Sequence, residues 1–165
     1  MRHILMVVIA AAIFLTGCTK KTLDGITVSG VDITGIQPIS GSGNITNGRR
    51  AFFAQVLRER LQDAGLRFDG KGPLSIEGDV FQFSNGTGID YSGEVLTSRI
   101  SIKDANDLYE PHDVFGHRWP KRKYYTEGRI DLGFDTEVSK EHCERLAAEV
   151  AQRFIKEVRL TLGEQ

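Results

Sequence analysis

The chain has 165 residues, with 21 basic and 22 acidic side chains and a formal charge of −1. That balance gives no support to general nucleic-acid binding, which calls for a basic domain. The length suits one domain and is short for two, and no internal repeat is present.

Arg2 and His3 precede an apolar run from Ile4 to Leu15, which ends in Leu15-Thr16-Gly17-Cys18. A charged start, a short apolar core and small residues at its end make a secretory signal peptide. Twelve apolar residues are too few to cross the hydrocarbon core, which takes about 20. The last four residues resemble the lipobox of bacterial lipoproteins. That resemblance implies removal of residues 1–17 and thioether linkage of a diacylglyceryl group to Cys18. It also implies an outer-membrane address. In the sorting scheme of such lipoproteins an aspartate directly after the cysteine retains the protein in the inner membrane, and position 19 here is Thr. Lipidation of Cys18 would leave Cys143 alone, so the exported fold must rest on packing and not on a disulfide.

Residues 18–25 read as a polar tether, in which Lys20 and Lys21 suit an anionic membrane surface or simply keep the tether soluble. A single domain is expected over residues 26–162. Ile26 to Ile36 reads as a strand whose apolar parity shifts at Ser29-Gly30, as at a bulge. The loop through Gly41, Gly43 and Gly48 leads to a helix near Arg49 to Ala64, with Phe53, Val56, Leu57, Leu61 and Ala64 on one face. Gly65 suits its C-cap. Three extended stretches follow, at Leu74–Phe83, Gly93–Lys103 and Tyr124–Phe134, the last two separated by an irregular segment from Asp104 to Lys123. Tyr124, Thr126, Ile130, Leu132 and Phe134 are expected on one face. Ser139 caps a last helix near Lys140 to Leu160, with Cys143, Leu146, Ala147, Val150, Ala151, Phe154 and Val158 as its apolar stripe. The expected fold is α+β: a two-layer sandwich in which a mainly antiparallel four-stranded sheet carries two helices on one face, in the order β-α-β-β-β-α.

The lipobox, the Val/Ile strand, the helix ending in Ala64-Gly65, the Gly72-Pro73-Leu74-Ser75-Ile76 strand start, Tyr125-Thr126-Glu127-Gly128 and the Ala-rich last helix occur in this order. The combination resembles the YajG-like group of bacterial lipoproteins. More loosely, it is similar to lipopolysaccharide-assembly lipoproteins and to auxiliary lipoproteins of envelope transport systems. The resemblance implies an envelope scaffold with no catalytic residues to carry over.

No catalytic set, metal site or cofactor is expected from the residues themselves. His112, Asp113 and His117 fall short of the three or four converging ligands that zinc needs. His142 and Cys143 are adjacent on a helix, and adjacent residues do not face each other. Glu77 and Asp79 share a strand face that reads as solvated. Arg49 and Arg50 oppose the helix dipole, which calls for a nearby carboxylate or a bound anion.

The segment around Arg118, Trp119, Lys121, Arg122, Lys123, Tyr124 and Tyr125 is the most unusual outside the leader. Arg, Trp and Tyr are enriched at binding hot spots, and clustered cations suit phosphate groups. Two readings stand side by side. One is a site for an anionic lipid or glycan; the other is a basic approach to an edge strand, where charge deters aggregation. The expected function is a non-enzymatic, membrane-anchored envelope protein, engaging the membrane through its lipid and an envelope protein partner through its domain. The alternative is a carrier of anionic lipid or glycan through residues 117–125, with no nucleic-acid role.

Overall fold

The computed structural model describes residues 23–34, 45–85, 92–108, 120–135 and 137–162. The leader with Cys18, the glycines at 41 and 43, and the set His112, Asp113, His117, Arg118 and Trp119 lie outside the described residues.

Two helices, α1 (Asn47–Asp63) and α2 (Lys140–Leu162), cover one face of a mixed four-stranded sheet. The sheet consists of β2 (Val31–Thr34), β4 (Leu74–Asn85), β5 (Gly93–Leu108) and β6 (Pro120–Gly133), in that spatial order. β2 runs parallel to β4, and the β4–β5 and β5–β6 pairs are antiparallel. A small parallel sheet joins β1 (Thr27–Val28) to β3 (Arg67–Phe68). The expected α+β order is present, with β1 and β3 as additions.

The parity shift at Ser29-Gly30 is a change of sheet and not a bulge in one strand. The Ser29 N–H and hydroxyl both donate to the Leu74 carbonyl, at 2.7 and 2.8 Å, while Gly30 accepts from Ile76 N–H at 2.9 Å. These bonds hold the chain at the start of β4, and β1 is left to pair with β3. Leu23, within the stretch expected as a tether, is fully buried and donates its N–H to the Ala64 carbonyl at 2.9 Å, so it packs with the domain.

α1 starts two residues before the expected Arg49, because Thr46 Oγ1 accepts the Arg49 N–H as its N-cap. Its last turn closes as a Schellman motif: Gly65, at φ 105°, donates to Gln62 O at 2.9 Å and Leu66 donates to Leu61 O at 3.0 Å. Phe53, Leu57 and Leu61 are buried, and Leu66 packs back on them. On α2 the Ser139 hydroxyl accepts from His142 N–H at 3.1 Å, and His142 Nδ1 accepts from Ser139 N–H at 3.3 Å. This is the reciprocal capping pattern with histidine in place of Glu or Gln. All seven residues of the expected α2 stripe are buried.

The stripe meets Ile76, Val80, Leu96, Ile100, Ile102 and Leu132 on the sheet's inner face. α2 lies close on β6 at Gly128, where an added Cβ would stand 2.4 Å from Val150 Cγ2. Phe134 departs from expectation: it is 77% exposed, because the strand ends at Gly133, whose φ of 64° turns the chain. The segment from Asp104 to Lys123 is also less irregular than expected. β5 runs on to Leu108 and β6 begins at Pro120, with Asp104 opposite Lys121. Ion pairs from Lys121 and Lys123 to Asp107, at 2.8 and 3.4 Å, clasp this extension.

Candidate functional site

Among the described residues no helix covers the other face of the sheet, yet much of it is dry. Val95, Thr97 and Ser101 of β5 are buried there, at 1–2% exposure. Neighbouring long side chains account for this. Phe81 and Phe83 stack at 6.0 Å, with the Arg99 guanidinium 5.0 Å from the first ring and that of Arg129 5.5 Å from the second. The arginine stems thus roof the small residues while their charged heads stay at the surface.

Beside this aromatic row lies an open cleft of about 570 Å³. Asp32 and Thr34 of β2 line one side, Glu77, Gly78 and Asp79 of β4 the floor, and Arg99 and Ser101 of β5 the middle; Arg122 and Tyr125 come from β6. Asp79 receives Arg99 through two bonds, Nε to Oδ1 at 3.1 Å and Nη2 to Oδ2 at 2.7 Å. Glu77 is bridged by Lys103 Nζ at 2.5 Å and by Arg122 Nη2 at 3.8 Å. The hydrogen bond to Asp79 holds the Arg99 guanidinium above its ordinary pKa, with smaller help from Tyr125. Glu77 and Asp79 therefore do not form a free carboxylate pair on a solvated face. They belong to an ion-paired network, and that network borders a cleft.

A backbone irregularity completes the site. Ile100 is opposite Thr126 while Ile102 is opposite Lys123, so β6 carries an extra residue between them. Tyr124, at φ 55°, takes the left-handed conformation at this bulge. Its ring turns inward and meets Phe154 edge-on at 6.4 Å. Arg122 and Tyr125 are three apart and would face opposite sides of a regular strand. The bulge brings both to the cleft.

The structure thus divides the basic-aromatic segment. Arg122 and the 57% exposed Tyr125 line the cleft, Tyr124 joins the core, and Lys121 and Lys123 engage Asp107. The Lys121 hydrogen bond is the main cause that holds the Asp107 carboxyl below its ordinary pKa, with a smaller part from Lys123. Sequence reasoning missed Asp32, Thr34, Arg99 and Ser101. The available signal was the alternation of Glu77 and Asp79 against Arg99 and Lys103 across one hairpin, which becomes readable once the register is known.

The other candidates do not converge. Cys143 Sγ contacts the Arg49 carbonyl at 3.8 Å, and burial pushes its thiol pKa up. His142 serves the helix cap, with Nε2 3.8 Å from Asp135 Oδ2. Arg50 Nη2 donates to Asn47 Oδ1, so an amide oxygen stands where a carboxylate or an anion was expected. Among the described residues no group of three or more His, Cys, Asp or Glu could hold a metal ion. None of the helices there is long and apolar enough to cross a membrane.

No family model matches the chain, and no curated protein matches it. Among solved structures it is similar to the PelC dodecamer from Paraburkholderia phytofirmans, at 15% identity over 79% of this chain and 88% of that one, with a TM-score of 0.42. It is similar to the hypothetical protein CT253 from Chlamydia trachomatis, at 11% identity over 82% and 98%, TM-score 0.46. A third is the rare lipoprotein B from Shewanella oneidensis, at 11% identity over 81% and 91%, TM-score 0.29. At these identities and scores the likeness assigns no activity, ligand or partner.

Proposed function

We propose that the protein is a lipid-anchored component of the bacterial cell envelope, whose domain faces the periplasm and works by docking and not by catalysis. The observation that carries this reading is Leu15-Thr16-Gly17-Cys18 directly after a short apolar run. The buried position of Leu23 adds a distance. Five residue steps from Cys18 span at most about 18 Å, so the domain would ride close to the lipid surface. Thr19 in place of aspartate favours the outer membrane. The ion pairs of Glu77 and Asp79 favour docking, because carboxylates already bridged by Lys103, Arg122 and Arg99 are poorly placed as general bases.

Fractionation of cells expressing Cys18→Ala tests the anchor. The variant is expected to accumulate unprocessed or to leave the acylated membrane fraction, since stable anchoring needs two or more acyl chains. Processing and partition identical to wild type would remove the reading.

A second reading, carriage of a glycan, draws on Arg122 and Tyr125 in the cleft. The network interleaves carboxylates with cations, so the cleft suits neutral hydroxyl groups better than a lipid phosphate. Binding of envelope glycan fragments to the wild-type protein should be lost in Tyr125→Ala, and equal binding by both would dismiss this reading.

A further inference from the structure

β6 ends the sheet, so one side of this 14-residue strand has no partner strand among the described residues. A long unpaired edge is a template for another strand. The carbonyl of Glu127 shows which groups it offers. It accepts a 3.3 Å hydrogen bond from Arg153 Nη1, which reaches round from α2. The Glu127 main chain therefore opens away from β5, and in the regular antiparallel ladder beyond the bulge Arg129 and Asp131 open the same way.

The side chains along this edge carry a pattern. Glu127, Arg129 and Asp131 alternate in sign at two-residue spacing on the helix-free face, and Glu127 and Arg129 flank Gly128 symmetrically. We propose that β6 pairs antiparallel with β6 of a second copy of this chain, about a two-fold axis through Gly128. In that register each Glu127 stands opposite Arg129 of the second copy, and each Tyr125 opposite Asp131. Moving the axis to Glu127 would set the two Glu127 carboxylates face to face. Moving it to Arg129 would oppose two guanidiniums. Like charges directly opposite destabilise an antiparallel pair and unlike charges stabilise it, so charge selects the Gly128 centre over both neighbours.

Arg153 is the latch on this edge. Glu149 holds it at 2.6 Å, and its contact with the Glu127 carbonyl must be released before a strand can add. The paired form is one continuous sheet with both clefts on the same face. This inference goes beyond the proposed anchor and does not depend on it.

Two full-length variants, Glu127→Cys and Arg129→Cys, carry different tags and are expressed together. They are oxidised mildly in their native membranes, with wild type as the baseline. Directly opposite residues with exchanged hydrogen bonds have Cα atoms about 5.5 Å apart, within disulfide range. Diagonal pairs at about 7–8 Å are not. The mixed disulfide is expected to exceed either self-disulfide several-fold, and adding Arg153→Ala should raise it further. No mixed product above baseline, or self-disulfides in equal amount, overturns the pairing. An unchanged yield with Arg153→Ala overturns the latch. Membrane partition of the same samples reads the anchor separately, so failure of one claim is not mistaken for failure of the other.

Discussion

Tyr124 has the one positive φ among the described non-glycine residues, and it sits where the β6 bulge turns Arg122 and Tyr125 to the same cleft. Bulky side chains reach this conformation only at a cost, and here the edge-on contact with Phe154 helps to offset it. In the neighbouring β5–β6 extension, Asp107 shows what holds the two strands together. Its carboxyl titrates below its ordinary value because Lys121, and less so Lys123, favour the charged form. A depressed carboxyl stabilises the fold above its unfolded pKa, and this is lost as the pH falls through the folded value. The protection factors of the amides at 105–108 and 121–123, taken against the intrinsic exchange rate at each pH, should therefore fall in acid, below about pH 4. Asp107→Asn should exchange fast at pH 7 already and lose its difference from wild type in acid. Equal exchange at pH 7 would show that the clasp contributes nothing.

At the scale of elements, α2 provides the sharpest test of the core. Phe154 is fully buried, whereas the Arg153 side chain next to it is 58% exposed. Phe154→Ala should cost about 3–5 kcal/mol, a large share of a domain's stability. Arg153→Ala should cost under about 1 kcal/mol, since its pair with Glu149 is a surface one. Equal shifts of the urea midpoint would mean that the buried face of α2 is misplaced. Both helix faces were legible in the sequence, because helical periodicity is local and Gly65 and Ser139 mark the ends. The split between β1 and β2 was not legible. It depends on bonds from Ser29 and Gly30 to Leu74 and Ile76, some 45 positions away. The extension of β5 and β6 was hidden because Asp104, Asp107, Lys121 and Lys123 give no apolar alternation. The cleft was hidden for a third reason. Four strands supply it, and its β6 share depends on a bulge for which a tyrosine is an unusual residue.

At the scale of the molecule, the described helices cover one face of the sheet and leave the other to the cleft, and a lipid on Cys18 would hold Leu23, where the described fold starts, within about 18 Å of a membrane. That proximity limits what the cleft and the β6 edge can meet, which is why the anchor is the central claim. The most direct measurement is the mass of the N-terminal peptide of the mature protein purified from membranes. The mature chain is expected to begin at Cys18 and to carry a diacylglyceryl group in thioether linkage, with no peptide from residues 1–17. A mature chain cut elsewhere, or one that begins at Cys18 with an unmodified thiol, would contradict it.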